Sequence, residues 1–224
     1  DATFVGHPLL DVLAAVPSRE ACRASLGLPD ASLVLGLLPG SRQAEIRRHL
    51  PLLLETAARL AASRPDLRGV LGLAPTLDEG SVREAVRSSP VPLTVVQGQT
   101  SEVMRAADLL LAVSGTVTLE AAILGTPMII TYRLGWLSWL LARCLVRVRF
   151  IGLPNLVAGE EIVPELIQFQ ATPKTLAATA SEILGSPERQ AGMRAKLAEV
   201  GRRLGTPGAA ERAAREVLAL IPAA

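Results

Sequence analysis

Two short stretches of this 224-residue sequence place glycine and polar residues directly after an apolar run. The first consists of Gly40, Ser41 and Arg42. Gly40 would let a phosphate approach the backbone, Ser41 could donate a hydrogen bond, and Arg42 could neutralise the charge with two donors. An ordinary turn with a solvated arginine explains the same residues, and this stretch taken alone favours that simpler interpretation.

The second stretch consists of Ser114, Gly115 and Thr116, and Glu120 follows about one helical turn later. A helix that starts here offers free backbone N–H groups and its dipole to an anion. A carboxylate at position 120 suits the vicinal hydroxyls of a ribose better than a phosphate. Simple N-capping by Ser114 or Thr116 explains the pattern equally well. If the two stretches share one sheet edge, together they favour a nucleotide diphosphate.

A third stretch, residues 121–159, contains no acidic residue but four arginines and both tryptophans. As part of a helix, Trp136 and Trp139 would lie near one face, and Arg143 and Arg147 would be one turn apart. Tryptophan and arginine without acids suit docking on an anionic bilayer surface, which is the interpretation that we favour. A packed crossover helix with arginines at its C-terminal end is the alternative.

Short apolar runs alternate with helical patterns from about residue 32 onward, which is typical of βαβ units and a parallel sheet. Their continuous apolarity predicts an α/β fold with helices on both faces of a Rossmann-like sheet. Because ligands of such sheets bind at the carboxyl ends of the strands, both polar stretches lie where a site is expected. The predicted strands are 33–38, 69–73, 93–96, 109–113 and 128–131.

Helices are predicted for the crossovers and for a C-terminal tail, with no strand after Pro154. Pro51 suits a first helical turn, so that residues 41–49 are expected to form a separate loop or short helix. The predicted helices are 51–63, 78–88, 100–106, 116–124, 173–184, 187–204 and 209–220. Residues 1–30 are expected to be a connector, and residues 31–224 a single domain with its helical tail.

Composition and missing motifs exclude several classes of function. With 50% hydrophobic residues and two distant cysteines the chain is neither disordered nor a disulfide scaffold. Its apolar stretches are shorter than the about 20 residues of a membrane-spanning helix. There is no GxxxxGK[ST] P-loop, no GxG dinucleotide motif and no GxSxG nucleophile elbow. Two histidines without ligand spacing indicate no metal site.

Four motifs together resemble the lipid-A-disaccharide synthase family, in that family's order and over its C-terminal half. The motifs are Phe4-Val5-Gly6-His7-Pro8-Leu9, Leu38-Pro39-Gly40-Ser41-Arg42 with Glu45-Ile46, Ser114-Gly115-Thr116 with Thr118-Leu119-Glu120, and Leu153-Pro154-Asn155-Leu156-Val157-Ala158-Gly159. That family consists of inverting glycosyltransferases with the GT-B fold, which has two Rossmann-like domains. The resemblance implies transfer of 2,3-diacylglucosamine from its UDP form to 2,3-diacylglucosamine 1-phosphate, in lipid A biosynthesis.

The resemblance also assigns roles to individual residues of a donor site. The residues so implied are Gly40, Ser41, Arg42, Gln97, Gly98, Ser114, Gly115, Thr116, Glu120, Asn155 and Glu165. Residues 114–116 would bind the pyrophosphate, Glu120 would hold the ribose, and residues 40–42 would face the phosphates and the sugar. Residues 97–98 would approach uracil, and Asn155 and Glu165 would shape the donor pocket.

Partners and location follow from the same resemblance. Trp136, Trp139, Arg143 and Arg147 would face the anionic membrane surface, and the protein would be cytoplasmic and peripheral on the inner face of the inner membrane. No cofactor and no nucleic-acid partner are expected. The family's N-terminal acceptor domain is absent from this sequence, and the general base that inverting transfer requires is expected there. No catalytic residue is therefore assigned in this chain, which is expected to bind UDP with negligible turnover.

Two alternatives remain open at this point. One is another UDP-sugar enzyme of the same fold class, such as a UDP-N-acetylglucosamine epimerase or the lipid II N-acetylglucosaminyltransferase. The other is a non-catalytic module that binds a nucleotide or a membrane.

Overall fold

A parallel β-sheet forms the centre of the fold. The computed structural model describes residues 2–29, 31–136, 139 and 148–220, and within them the sheet has six strands. These are β1 (Leu33–Leu38), β2 (Leu67–Leu73), β3 (Leu93–Gln97), β4 (Leu109–Val113), β5 (Met128–Tyr132) and β6 (Glu165–Ile167). Their order across the sheet is β3-β2-β1-β4-β5-β6, with parallel pairing throughout. This is the strand order of the Rossmann fold.

Helices connect the strands and form the C-terminal tail. In the described residues they are α1 (Leu9–Leu13), α2 (Arg19–Ser25), α3 (Gln43–Ala61), α4 (Glu79–Arg87), α5 (Thr100–Ala106), α6 (Thr116–Ile123), α7 (Leu153–Ala158), α8 (Pro173–Leu184), α9 (Pro187–Arg203) and α10 (Ala209–Ala219). None of these helices is both long and apolar enough to cross a bilayer. The predicted strands, and most of the predicted helices, agree with the structure to within about two residues at each end.

The expectation that no strand follows Pro154 is wrong, because β6 lies beyond it. This strand pairs with β5 from the register Ile130 opposite Glu165 onward. It is only three residues long and half-buried at the edge of the sheet. A strand this short contains no apolar run long enough to predict it from the sequence.

The expectation that a helix begins at Pro51 is also wrong. Helix α3 is continuous over 19 residues, and Pro51 lies inside it. Ile46 before the proline and Leu53 after it are both buried in the core. The helix therefore buries one apolar face on both sides of the proline, and this packing offsets the cost of about 3 kcal/mol that proline has in a helix interior.

The N-terminal residues pack against helix α5 and against the C-terminal tail. Cys22 of α2 is buried in the core, and Arg23 donates from Nε to the carbonyl of Ala106, at 3.0 Å. Near the other end of the chain, Nε of Arg212 donates to the carbonyl of Val5, at 2.9 Å. The described residues before β1 thus form part of the same packed body as α10.

Candidate functional site

A cleft of about 360 Å³ opens at the carboxyl ends of β1 and β4. These two strands are neighbours, and the strand order reverses between them, which is where open α/β sheets bind ligands. The cleft is lined by Leu38, Gly40, Ser41, Arg42, Glu45, Gly72, Ala74, Pro75, Thr100, Val113, Ser114, Gly115, Thr116, Val117 and Glu120. Both polar stretches of the sequence therefore line one cleft.

The turn after β1 is held in a conformation that only glycine adopts easily. Gly40 has φ of +114°, and a Cβ at this position would lie 2.6 Å from the Cβ of Glu45. The Glu45 carboxylate accepts hydrogen bonds from the backbone N–H of Ser41, at 2.9 Å, and from that of Arg42, at 3.3 Å. The same carboxylate pairs with Nη1 of Arg42, at 3.1 Å. Glu45 therefore fixes both the backbone of this turn and its cation.

Glu45 was not among the predicted site residues. Its position three residues after Arg42, at the start of α3, is the spacing with which a glutamate caps a helix. That spacing is the signal from which its contact with the turn could have been found. The Arg42 side chain remains 80% exposed, so most of its donors face solvent at the mouth of the cleft.

The turn after β4 leaves the start of α6 open. Gly115 is the N-cap residue, and no side chain caps the helix. The Ser114 hydroxyl instead donates to the carbonyl of Ile151, at 3.0 Å. The alternative of simple N-capping by Ser114 or Thr116 is therefore wrong for this structure. Thr116 and Val117, whose backbone N–H groups have no protein partner within the described residues, line the cleft at the positive end of the helix dipole.

Glu120 lies one turn further along α6, on the same wall of the cleft. Burial raises the pKa of its carboxyl group. Within the described residues its carboxylate makes no hydrogen bond and no ion pair. A half-buried carboxylate without a protein donor can accept hydrogen bonds from the hydroxyls of a ligand.

Gln97 and Gly98 do not line the cleft. The Gln97 side-chain nitrogen donates to the carbonyls of Pro75, at 3.2 Å, and Leu77, at 2.8 Å. Gln97 therefore holds the loop after β2, and its amide donors are already used within the protein. Pro75 lines the cleft. These residues can therefore affect a ligand through the position of that loop.

Asn155 and Glu165 also lie outside the lining of the cleft. Asn155 is fully buried and donates to a Glu165 carboxylate oxygen, at 2.8 Å. That carboxylate accepts hydrogen bonds from the backbone N–H groups of Ile151, at 2.8 Å, and Gly152, at 3.0 Å. Since Ser114 bonds to Ile151, the two residues hold a loop against the start of α6. Any effect of Asn155 and Glu165 on the cleft would therefore pass through this backbone.

The sequence profile of the lipid-A-disaccharide synthetases matches residues 1–217. The chain belongs to the lipid-A-disaccharide synthetase family. The lipid-A-disaccharide synthase of Syntrophus aciditrophicus is 43% identical over 222 residues, which are 99% of this chain and 58% of that protein. The one of Geobacter sulfurreducens is 41% identical over 98% of this chain and 57% of its own length. The chain thus spans less than three-fifths of these relatives.

Solved structures with little sequence identity share the fold of this synthetase-family chain. A UDP-GlcNAc 2-epimerase from Neisseria meningitidis, bound to UDP-GlcNAc, has a TM-score of 0.65 at 16% identity and covers 96% of this chain and 54% of its own. WaaG, a glycosyltransferase involved in lipopolysaccharide biosynthesis, has a TM-score of 0.61 at 20% identity, over 94% of this chain and 54% of its own. The predicted Rossmann-like fold class is confirmed.

The predicted membrane-facing residues are described only in part. Trp136 is 75% exposed. Trp139 packs edge-on against Phe169, with ring centroids 5.1 Å apart. Arg143 and Arg147 lie outside the described residues.

A buried histidine links α3 to the end of β5 in this synthetase-family chain. The backbone N–H of Arg133 donates to Nε2 of His49, at 2.9 Å. The neutral ring therefore carries its proton on Nδ1, which lies 2.9 Å from the carbonyl of Glu45 and donates to it. Burial is the main reason that the pKa of His49 is lowered. Protonation of Nε2 would break its bond to Arg133.

We expect the stability of the chain to fall as the pH drops below about 6.5, the ordinary pKa of histidine. The unfolded chain takes up a proton there that folded His49 resists, so His49 contributes stability only above this range. The loss is at most about 1.4 kcal/mol per pH unit. Urea unfolding at pH 5.5 and 7.5 measures it. His49→Gln should reduce the pH dependence; a slope equal to that of the unaltered chain would show that His49 is not the group responsible.

Proposed function

We propose that this chain binds the UDP-sugar donor of a lipid-A-disaccharide synthase, with residues 31–224 as the donor domain and residues 1–30 as a connector. The complete enzyme would transfer 2,3-diacylglucosamine from UDP to 2,3-diacylglucosamine 1-phosphate. One observation supports this most strongly: the uncapped start of α6 and the unpartnered Glu120 lie in one cleft, in a chain of this family. An anion site and a hydroxyl acceptor side by side fit a nucleoside diphosphate.

The chemistry of this transfer is a displacement at the anomeric carbon of the donor. The acceptor 6-hydroxyl oxygen forms a bond to that carbon, and the bond from the carbon to the UDP oxygen breaks with inversion. UDP leaves with the electron pair, and the hydroxyl proton goes to a general base. The products are the β-1,6-linked disaccharide 1-phosphate and UDP.

The described residues would act on the leaving group. Negative charge grows on the pyrophosphate as the bond breaks, and the N–H groups at the start of α6 and the Arg42 guanidinium stabilise that charge. Because both are fixed before the reaction, they need little reorganisation during it. We place the general base in the part of the relatives that this chain does not span, so this chain alone should turn over negligibly.

The turn after β1 needs one rearrangement when the donor binds. Glu45 occupies the N–H groups of Ser41 and Arg42, which a phosphate would otherwise use. A phosphate therefore either displaces this carboxylate or binds on the exposed side of Arg42. We propose the second arrangement, because Glu45 then keeps the guanidinium in place while its outer donors meet the phosphate.

We further propose that the enzyme works at the inner face of the inner membrane. Both proposed substrates carry acyl chains, so their sugar headgroups lie at a bilayer surface. The exposed Trp136 and the acid-free stretch 121–159 with its four arginines support contact with an anionic surface. Arg143 and Arg147 would contribute two of these charges.

Calorimetric titration of the 224-residue chain with UDP tests the donor-binding proposal. We expect saturable binding at one site with a Kd below about 1 mM, a free energy of at least about 4 kcal/mol. Uridine, which lacks the phosphates that α6 would bind, should bind much more weakly. Absence of heat at millimolar UDP, from a chain with an intact far-UV circular dichroism spectrum, would contradict the proposal.

A further inference from the structure

Two arginines from separate helices meet at the C-terminal end of α6, the helix whose start lies in the cleft. Nη1 of Arg105, from α5, donates to the carbonyl of Leu124, at 3.2 Å. Nη1 of Arg194, from α9, donates to the carbonyl of Gly125, at 3.0 Å. Leu124 is the C-cap residue of α6, so both guanidinium groups lie at the negative end of the helix dipole. We call Arg105 and Arg194 the α6 arginine pair.

Backbone hydrogen bonds already close this end of α6. The N–H of Gly125 donates to the carbonyl of Ala122, at 3.0 Å, and the N–H of Thr126 donates to the carbonyl of Ala121, at 3.0 Å. With Gly125 at φ of +71°, this is the Schellman arrangement, which ends a helix without the help of a side chain. The α6 arginine pair is therefore not required to end the helix. What it adds is positive charge, held in place by two hydrogen bonds.

No carboxylate neutralises this charge within the described residues, where neither member of the α6 arginine pair forms an ion pair. Asp108 is near Arg194, but its carboxylate is already bonded to Arg19 and, at 2.8 Å, to Arg23. Glu102 lies on α5 and makes no ion pair with the arginine of that helix. The C-terminal end of α6 therefore carries an excess of positive charge.

The α6 arginine pair is partly withdrawn from solvent. Nε of Arg105 is buried and has no hydrogen-bond partner within the described residues. Burial is the main reason that the pKa of Arg194 is lowered, and the charge of Arg19 lowers it further. Arginine nevertheless stays protonated in proteins. Because solvent and salt screen partly buried charges less than surface charges, the field of these two cations extends into the protein.

Helix α6 connects the arginine pair to the cleft. It has 8 residues, Thr116–Ile123, and at about 1.5 Å per residue its ends are about 12 Å apart. Its start offers the N–H groups of Thr116 and Val117 to the cleft. Cations at the far end offset the negative pole of the dipole, so that an anion at the start experiences a more positive potential.

We propose that Arg105 and Arg194 are positioning residues for a diphosphate: they act through α6, without touching the ligand, and strengthen the attraction of its start for the anion. The proposal rests on the proposed function in one respect, that a diphosphate binds at the start of α6. It places part of the diphosphate affinity at the end of the helix that lies away from the cleft.

Calorimetric titration of the 224-residue chain with UDP and with inorganic pyrophosphate tests this assignment. Arg194→Gln should weaken the binding of both ligands about three- to tenfold, because both carry the diphosphate. Arg194→Lys keeps the charge and should retain most of the affinity. Arg189→Gln removes an exposed arginine from the same helix. It is the matched control and should bind both ligands as the unaltered chain does.

The same comparison from α5 uses Arg105→Gln and Arg105→Lys. It keeps the proposal testable if Arg194→Gln does not fold, which far-UV circular dichroism shows. We expect the glutamine variant to lose affinity for UDP and pyrophosphate by a similar factor, and the lysine variant to restore it. This pattern differs from that of a ribose contact, whose loss would weaken UDP binding alone.

Three results would overturn the proposal. The first is a folded glutamine variant at each position that binds pyrophosphate as the unaltered chain does. The second is an equal loss in the lysine and glutamine variants, which would mean that the arginines hold the shape of the helix end. The third is an equal loss in Arg189→Gln, which would indicate an effect of net charge alone.

The unaltered chain separates this proposal from the proposed function. If it binds UDP and the glutamine variants bind UDP equally well, only the role of the α6 arginine pair is contradicted. If the unaltered chain binds neither UDP nor pyrophosphate, the proposed function is contradicted and this proposal with it.

Discussion

Glu120→Ala is expected to weaken UDP binding by about 1.5–3 kcal/mol, or roughly ten- to a hundredfold. The carboxylate is half-buried in the cleft and has no protein donor within the described residues, so the ribose hydroxyls would be the groups that satisfy it. Glu120→Gln keeps a neutral acceptor and should lose less. Calorimetry of both variants with UDP measures the change, and Glu84→Ala, which removes an exposed carboxylate of α4, is the control.

Titration of Glu120→Ala with inorganic pyrophosphate tests whether the lost UDP affinity comes from the ribose. Pyrophosphate has no hydroxyl for Glu120, so its affinity should not fall in Glu120→Ala, and removal of a nearby negative charge should raise it slightly. Burial raises the pKa of Glu120. As the pH is lowered, UDP affinity should therefore begin to fall at a higher pH than it would if this carboxyl group had the ordinary pKa of glutamate. An equal loss of affinity for UDP and pyrophosphate would contradict the ribose role.

Sequence alone predicted which residues meet in the cleft because a parallel sheet leaves few alternatives. The apolar runs of β1 and β4 are continuous, which predicts strands of a parallel sheet covered on both faces, and every carboxyl end in a parallel sheet lies at one edge. The residues after these two strands, Gly40 to Arg42 and Ser114 to Thr116, therefore had to lie on the same side. Neither step required knowledge of a side-chain conformation.

Contacts that depend on packing could not be predicted in this way. Whether Glu45 contacts the turn after β1 depends on where α3 begins. Pro51 led to the prediction of a helix that starts eight residues too late. The side chains of Gln97 and Asn155 are committed to backbone carbonyls of loops whose paths the sequence does not specify.

The cleft thus contains two kinds of polar group. Glu45 and Ser114 are already bonded to the protein, and they fix the walls. The N–H groups of Thr116 and Val117, at the start of α6, and the Glu120 carboxylate have no protein partner within the described residues. A ligand that satisfies both gains hydrogen bonds without breaking existing ones, which is the physical reason that binding energy should concentrate on one wall of the cleft.

The buried side-chain amide of Asn155 is expected to contribute more to the free energy of unfolding than any polar group in the cleft. Its Oδ1 accepts from the backbone N–H groups of Ile162, at 2.8 Å, and Val163, at 3.0 Å, and its Nδ2 donates to the carbonyl of Val163 and to Glu165. Asn155→Ala leaves two buried N–H groups without an acceptor. At about 1–3 kcal/mol for each, the free energy of unfolding should fall by about 2–6 kcal/mol.

Urea unfolding and thermal melting measure this loss, which corresponds to a fall in Tm of roughly 4–24 °C for a chain of this length. Ser114→Ala removes one bond of the same network at a partly exposed site and should cost only about 0.5–1.5 kcal/mol. Asn155→Asp keeps the acceptor but brings a second carboxylate against Glu165, so it should regain stability as the pH falls and the pair shares a proton. Asn155→Ala should show no such recovery. A loss below about 1 kcal/mol in Asn155→Ala would mean that the loop finds other partners, and that Asn155 does not hold it against α6.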